Sequence, residues 1–144
     1  YLELSKLPLI NGAKEASGDI SHFAKTVALC GDNLNFYSGN DDQITAMCAL
    51  GAKGVISVLS NIAPRLAHDI AMLAVEGKTK ESADLQLKYL DLCNVLFCDV
   101  NPIPVKEAMC LMGTDVGRCR MPLSPLNEKN RAHLKTVLKK HNLI

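Results

Sequence analysis

Apolar positions in residues 1–77 fall in short runs separated by small and polar residues, and after Gly77 they spread out to helical spacing. Leu2, Leu4 and Leu7 end at Pro8 and read as the tail of a helix. Residues 9–14 (LINGAK) predict a short buried strand. Asp19 or Ser17 caps a helix that runs to about Leu29 and closes at Gly31. Residues 33–39 (NLNFYSG) predict a second strand, and 41–50 (DDQITAMCAL) a helix stopped at Gly51. Residues 54–58 (GVISV) predict a third strand, with the uninterrupted apolar and β-branched character of a buried parallel strand. Asn61 opens a further helix, with Pro64 in its first turn and its end near Gly77.

Strand and helix therefore alternate three times, with strands recurring about every 20–25 residues, the rhythm of parallel βα units. Each strand-to-helix junction carries small or polar residues: Ser17 and Gly18, then Gly39 to Asp42, then Ser60 and Asn61. Ligands in such folds bind at the C-terminal ends of the strands. Beyond Gly77 the pattern is helical only. One helix is expected over 79–97, a turn at Asn101-Pro102, another helix from near Pro104, and a last one capped by Asn127 with Leu134, Val137 and Leu138 on its apolar face. The expected division is 1–77 as βα units and 78–144 as a helical subdomain. A closed βα barrel needs eight strands and about 250 residues, and a three-stranded parallel sheet leaves bare edges. Either the chain is a small open α/β protein or its remaining strands lie elsewhere. Its start at Tyr1, without methionine or leader, fits a piece of something longer.

Composition narrows the function classes. Hydrophobic residues make up 48% of the chain, enough for a core, and a formal net charge of +1 gives no electrostatic case for nucleic acid or an anionic membrane. The basic cluster Lys135, Lys139 and Lys140 reads as a solvated helix C-terminus. No run of about 18 apolar residues points to a membrane span, and the expected location is the cytoplasm. Cys30, Cys48, Cys93, Cys98, Cys110 and Cys119 form no Cys-x-x-Cys pair and lie far in sequence from the four histidines, which argues against zinc. Most of them read as small buried hydrophobes.

Candidate chemistry centres on Lys14, at the mouth of the first strand. Alternation puts Ile10, Gly12 and Lys14 on one face and Leu9, Asn11 and Ala13 on the other. Glu15 should then point away from Lys14 and not serve as its counter-ion, while Gly12 leaves room for a small substrate beside the amine. An amine in a partly apolar pocket loses its proton more readily and can attack a carbonyl to form a Schiff base. The alternative is a solvated lysine at a loop, and spacing alone favours it.

The blocks KEASGD, YSGNDDQ, GVISVLSNIAPR and NPIPVK shift that balance, because in this order and spacing the chain resembles the second half of the dihydrodipicolinate synthase family. The resemblance covers residues 1–144, and NPIPVK separates this family from the related sialic acid lyases and keto-sugar-acid aldolases. It implies the C-terminal part of a (β/α)8 TIM barrel followed by a helical subdomain. It also implies a class I pyruvate-dependent lyase that condenses pyruvate with aspartate 4-semialdehyde on the route to diaminopimelate and lysine. Lys14 matches the lysine that forms the imine with pyruvate, Gly39 a glycine lining the pyruvate site, and Ile56 a residue whose backbone carbonyl faces it. Asn40 and Ser57 carry over only as pocket lining. No metal or organic cofactor is implied, since the covalent imine is the electron sink.

The same resemblance makes a homo-oligomer, and the missing N-terminal half of the barrel, the expected partners. That half holds the family's proton-shuttling tyrosine, its substrate-carboxylate threonines, its entrance arginine and its lysine feedback site. Asn11 and Ala13 stand where the family usually carries larger apolar residues. Two other readings compete: a pyruvate aldolase of the same superfamily with a different acceptor, and a non-catalytic helical interaction module built on residues 78–144.

Overall fold

Phe23 and Phe36 organise one half of the molecule, meeting edge to face with ring centroids 5.5 Å apart. Phe36 lies in strand β2 (Asn35–Ser38), which pairs in parallel with β1 (Gly12–Glu15), and Phe23 lies in helix α1 (Ile20–Cys30) between them. The computed structural model describes residues 1–144. Asp19 caps α1 by accepting the N–H of His22 at 2.9 Å, a contact worth about 1 kcal/mol in such positions. Helix α2 (Ile44–Ala49) follows β2, preceded by a 3-10 turn over Asp41–Gln43, and α3 (Pro64–Val75) carries its proline at the first turn. Phe23, Phe36, Ile44, Met47 and Ile70 bury together on the helix side of the sheet.

A second apolar cluster joins the start of α3 to α5 (Leu90–Val95), α6 (Ile103–Leu111) and α7 (Glu128–Lys140), around Leu59, Leu92, Leu96, Leu134 and Leu138. Helix α4 (Thr79–Lys88) sits against α2 and α3 through a buried polar network. Thr45 and Ser82 share a hydrogen bond of 2.7 Å, Ser82 also donates to the carbonyl of Ile70, and Gln86 accepts the Thr45 N–H and donates to the carbonyl of Asp42. Every member is paired, so the network fixes the packing without leaving a buried polar group unmet.

Several elements differ from the sequence expectation. The first strand begins at Gly12 and not at residue 9; Leu9 is 95% exposed, and Ile10 packs toward the helix-side cluster and not onto the face of Lys14. The third strand contracts to a single parallel bridge between Ser38 and Val55. Lys53 and Ile56 donate to the carbonyls of Phe36 and Ser38, but the ladder stops there because Asp41 takes the next free N–H groups, those of Val58 and Leu59. The sheet order is nevertheless the one expected, β1, β2, then the 53–56 segment, all parallel. The helix expected over 79–97 breaks at Tyr89 into α4 and α5, and the N-terminal segment forms only a 3-10 turn at Leu4–Lys6. Of the cysteines, Cys30, Cys48 and Cys93 are buried, Cys98 and Cys119 half-buried, and Cys110 exposed, so the buried reading holds for half of them.

The end of α7 is tied down and not merely solvated. Lys140 and His141 both bond the carboxylate of Asp91 on α5, at 2.7 and 2.9 Å. Burial alone would raise the Asp91 carboxyl, but these two bonds outweigh it and bring it from its ordinary 3.8 down to about 2. A depressed folded value means that the pairing contributes stability above pH 3.8 and loses it as the pH falls toward 2. The thermal midpoint of Asp91→Asn should therefore lie below that of the unsubstituted chain at pH 6, and most of the gap should be gone by pH 2. An equal gap at both values would show that the ion pair is not its source.

Candidate functional site

Lys14 and Tyr37 stand opposite each other in the β1–β2 register, on the face that no helix covers. The helix-side face takes Ala13, Phe36 and the buried Ser38. Glu15 also turns to that side, where its carboxylate accepts the Tyr1 hydroxyl at 2.6 Å and the Ser17 N–H at 2.7 Å. Burial alone would raise the Glu15 carboxyl, yet the bonds from Ser17 and Tyr1 hold it below its ordinary value, and the same contact pushes the Tyr1 hydroxyl up to about 12. Glu15 is thus committed away from Lys14, as alternation required.

Lys14 itself is exposed, which departs from the desolvated amine expected of the strand mouth. Nothing among residues 1–144 lies over the sheet's open face to dry it. The room expected beside Gly12 is also taken: a Cβ there would meet the Asn35 carbonyl at 3.0 Å and the Tyr37 ring at 3.5 Å. The glycine that admits a close approach is Gly39. A Cβ at Gly39 would lie 2.5 Å from the Ala16 Cβ and 2.9 Å from Lys14 Cε, so only glycine lets β2 close on the stem of Lys14. Gly39 donates its N–H to the carbonyl of Glu15 at 2.7 Å, which pins the two strand ends together.

Ile56 lies on the other side of Gly39, held by its N–H to the Ser38 carbonyl at 2.8 Å, with a side chain 47% exposed. Lys14, Gly39 and Ile56 therefore stand in a row across the C-terminal ends of three adjacent parallel segments. Asn40 and Ser57 are not part of that row. Asn40 lines a separate cavity of about 280 Å³ beside the strand ends, with Ser17, Gln43, Asn94 and Phe97. Ser57 turns its hydroxyl to the Ser60 N–H at 2.8 Å and closes its own turn. Cys93, beside the same cavity, is buried, and that burial, reinforced by the charges of Asp41 and Asp42, pushes its thiol up to about 12, which disfavours the thiolate. No three His, Cys, Asp or Glu side chains converge to hold a metal ion, and no helix is long and apolar enough to cross a membrane.

Sequence reasoning missed Asp41. It entered only among the small and polar residues of a strand-to-helix junction, yet Asp41 is 1% exposed while Asp42 stays in solvent. Nothing in the pair Asp41-Asp42 distinguishes them without knowing that Val58 and Leu59 pass beneath the first.

Residues 2–141 match the sequence profile of the Dihydrodipicolinate synthetase family. The chain belongs to that family. The dihydrodipicolinate synthetase relatives include the 4-hydroxy-tetrahydrodipicolinate synthase of Brachyspira hyodysenteriae, 51% identical over 97% of this chain and 47% of its own length. That of Caldicellulosiruptor saccharolyticus is 52% identical over 94% of this chain and 46% of its own. Among solved structures, the dihydrodipicolinate synthase of Aquifex aeolicus superposes with a TM-score of 0.94 at 36% identity, over 99% of this chain and 49% of its own. The chloride-inhibited enzyme of Acinetobacter baumannii, complexed with pyruvate, gives 0.94 at 37%, with the same coverage. The chain thus spans about half the length of the family members it matches, and its fold is the C-terminal part of their TIM barrel with the helical segment that follows.

Proposed function

We propose that these residues form the C-terminal half of a lyase that condenses pyruvate with aspartate 4-semialdehyde, with Lys14 as the imine-forming nucleophile. The observation that carries the reading is the packing of the Lys14 stem against Gly39 at the C-terminal end of β1, with Ile56 next in the row. A family relative complexed with pyruvate supports the choice of substrate.

The chemistry follows from an amine beside a bare backbone. The neutral Lys14 Nζ attacks the ketone carbon of pyruvate, and loss of water leaves an iminium. The positive nitrogen draws electron density from the methyl carbon, a proton leaves it, and the resulting enamine carbon bonds to the aldehyde carbon of the acceptor. The aldehyde oxygen takes up a proton, and attack on the iminium carbon by the acceptor's own amino group, or by water, breaks the bond to Lys14 Nζ and returns the free amine with the product. Gly39 lets the lysine stem lie against the strand end, and the exposed segment at Ile56 is proposed to present backbone to the substrate. The covalent imine supplies the electron sink, so no further cofactor enters the scheme. The first half of the barrel is proposed to cover the open face, dry the amine and supply the proton relay.

Acceptor choice tests this function. With the first half of the Brachyspira relative supplied as a separate chain, pyruvate should be consumed with aspartate 4-semialdehyde at least ten times faster than with a sugar-derived or amino-sugar aldehyde. Preference for either sugar aldehyde would assign the chain to a different aldolase reaction.

A further inference from the structure

We infer that Asp41 is a positioning residue of the Lys14 site: through the N–H groups of Val58 and Leu59 it holds the main chain of Ile56 and Ser57 in place beside Gly39. The inference rests on the imine reading of Lys14 for its consequence in catalysis, but its structural part stands on bond geometry alone.

The side chain of Asp41 is 1% exposed, and a carboxyl is retained in such a place only when its bonds repay the loss of water. One oxygen, Oδ2, accepts both the Val58 and the Leu59 N–H, each at 2.9 Å. The other, Oδ1, is buried and makes no bond. Asp41 stands two residues after Gly39, and Val58 two residues after Ile56. The two N–H bonds therefore form a strut between the chain leaving β2 and the chain leaving the 53–56 segment. The ladder ends at the Ile56 N–H, and the Ser57 hydroxyl is spent on Ser60 within the same turn. Asp41 is thus the side chain that ties residues 57–59 back to the β2 end once the ladder has stopped. A site whose groups must be held to within about 0.5 Å depends on such a support.

Because both bonds converge on one oxygen, an amide can replace the carboxyl without losing either. Asp41→Asn should behave like the unsubstituted chain, and Asp41→Ala should release the segment. Hydrogen exchange followed by mass spectrometry reads this directly. In Asp41→Ala, amides of residues 54–59 should exchange at least tenfold faster while those of α7 stay unchanged, and in Asp41→Asn both should remain within threefold. If Asp41→Ala loosens α7 as well, Asp41→Ser, whose hydroxyl oxygen sits one bond short of the position of Oδ2, takes its place with the same expectation.

Reductive trapping of pyruvate on the same proteins, with the first half of the Brachyspira relative supplied as a separate chain, gives the catalytic arm. Its rate should fall at least tenfold in the alanine or serine variant and recover in the asparagine variant. Unchanged exchange at 54–59 in Asp41→Ala, or equal losses in Asp41→Asn and Asp41→Ala, would overturn the inference. Absence of trapping in the unsubstituted chain would instead count against the imine reading and leave the exchange result to decide the strut.

Discussion

The 144-residue chain on its own is expected to self-associate, and to condense pyruvate with aspartate 4-semialdehyde at least about 100-fold more slowly than a full-length relative. Self-association follows from the open sheet. β1 has one unpaired edge and the 53–56 segment another, and unpaired edges are templates for further pairing. Ile56 is 47% exposed on that side, and Leu2, Leu4, Leu7 and Leu9, ahead of β1, are 40–95% exposed. Covering apolar surface contributes about 25 cal/mol per Å², so several such side chains make association favourable at modest concentration. Catalysis fails for another reason. Lys14 is exposed, and Tyr37, the tyrosine opposite it, has its ring stacked over Gly12 and Gly54. The proton relay is the part proposed for the first half of the barrel. Light scattering and a coupled turnover assay check the two parts. A monomer turning over at the rate of a full-length relative would show that the open face is complete as it stands.

Replacing Gly39 with alanine should disturb the lysine without touching it. The added carbon would lie 2.5 Å from the Ala16 Cβ, 2.9 Å from Lys14 Cε and 3.1 Å from the Glu15 carbonyl. Two of these neighbours belong to the β1 end, so relief requires moving the strand or expelling the lysine stem. Overpacking of this kind costs about 1–3 kcal/mol. It should also open the Gly39–Glu15 bond of 2.7 Å. Pyruvate trapping should fall at least tenfold, whereas Gly12→Ala, whose nearest contact is 3.0 Å, should lose less. Trapping by Gly39→Ala at the unsubstituted rate, with an unchanged thermal midpoint, would mean that the close approach is not needed.

The parallel order of the three segments, the caps at Asp19 and Asn127 and the proline start of α3 were legible in the sequence, because each rests on local chemistry. The failures came from contacts distant in sequence. Residues 54–58 have the composition of a strand, yet they leave the ladder after Ile56 because a carboxyl 17 residues upstream of Val58 captures the next amides. Leu9 and Ile10 read as buried strand, but the pairing with β2 starts only at Gly12. Gly12 and Gly39 look equivalent as small residues near Lys14; only the packing of Tyr37 and Ala16 shows which one admits the lysine stem. Lys14 was recognisable through its block KEASGD, while its exposure depends on what covers the open face, which no pattern within these residues encodes.

Peptide mapping of this chain, joined by the first half of the Brachyspira relative and treated with pyruvate and borohydride, tests the central claim most directly, because reduction freezes the imine on whichever amine formed it. One pyruvate-derived increment should appear on the peptide containing Lys14, and it should vanish in Lys14→Ala, which keeps the strand but removes the amine. An increment on a different lysine, such as Lys106 on α6, or one that persists in Lys14→Ala, would contradict the assignment of Lys14 as the nucleophile.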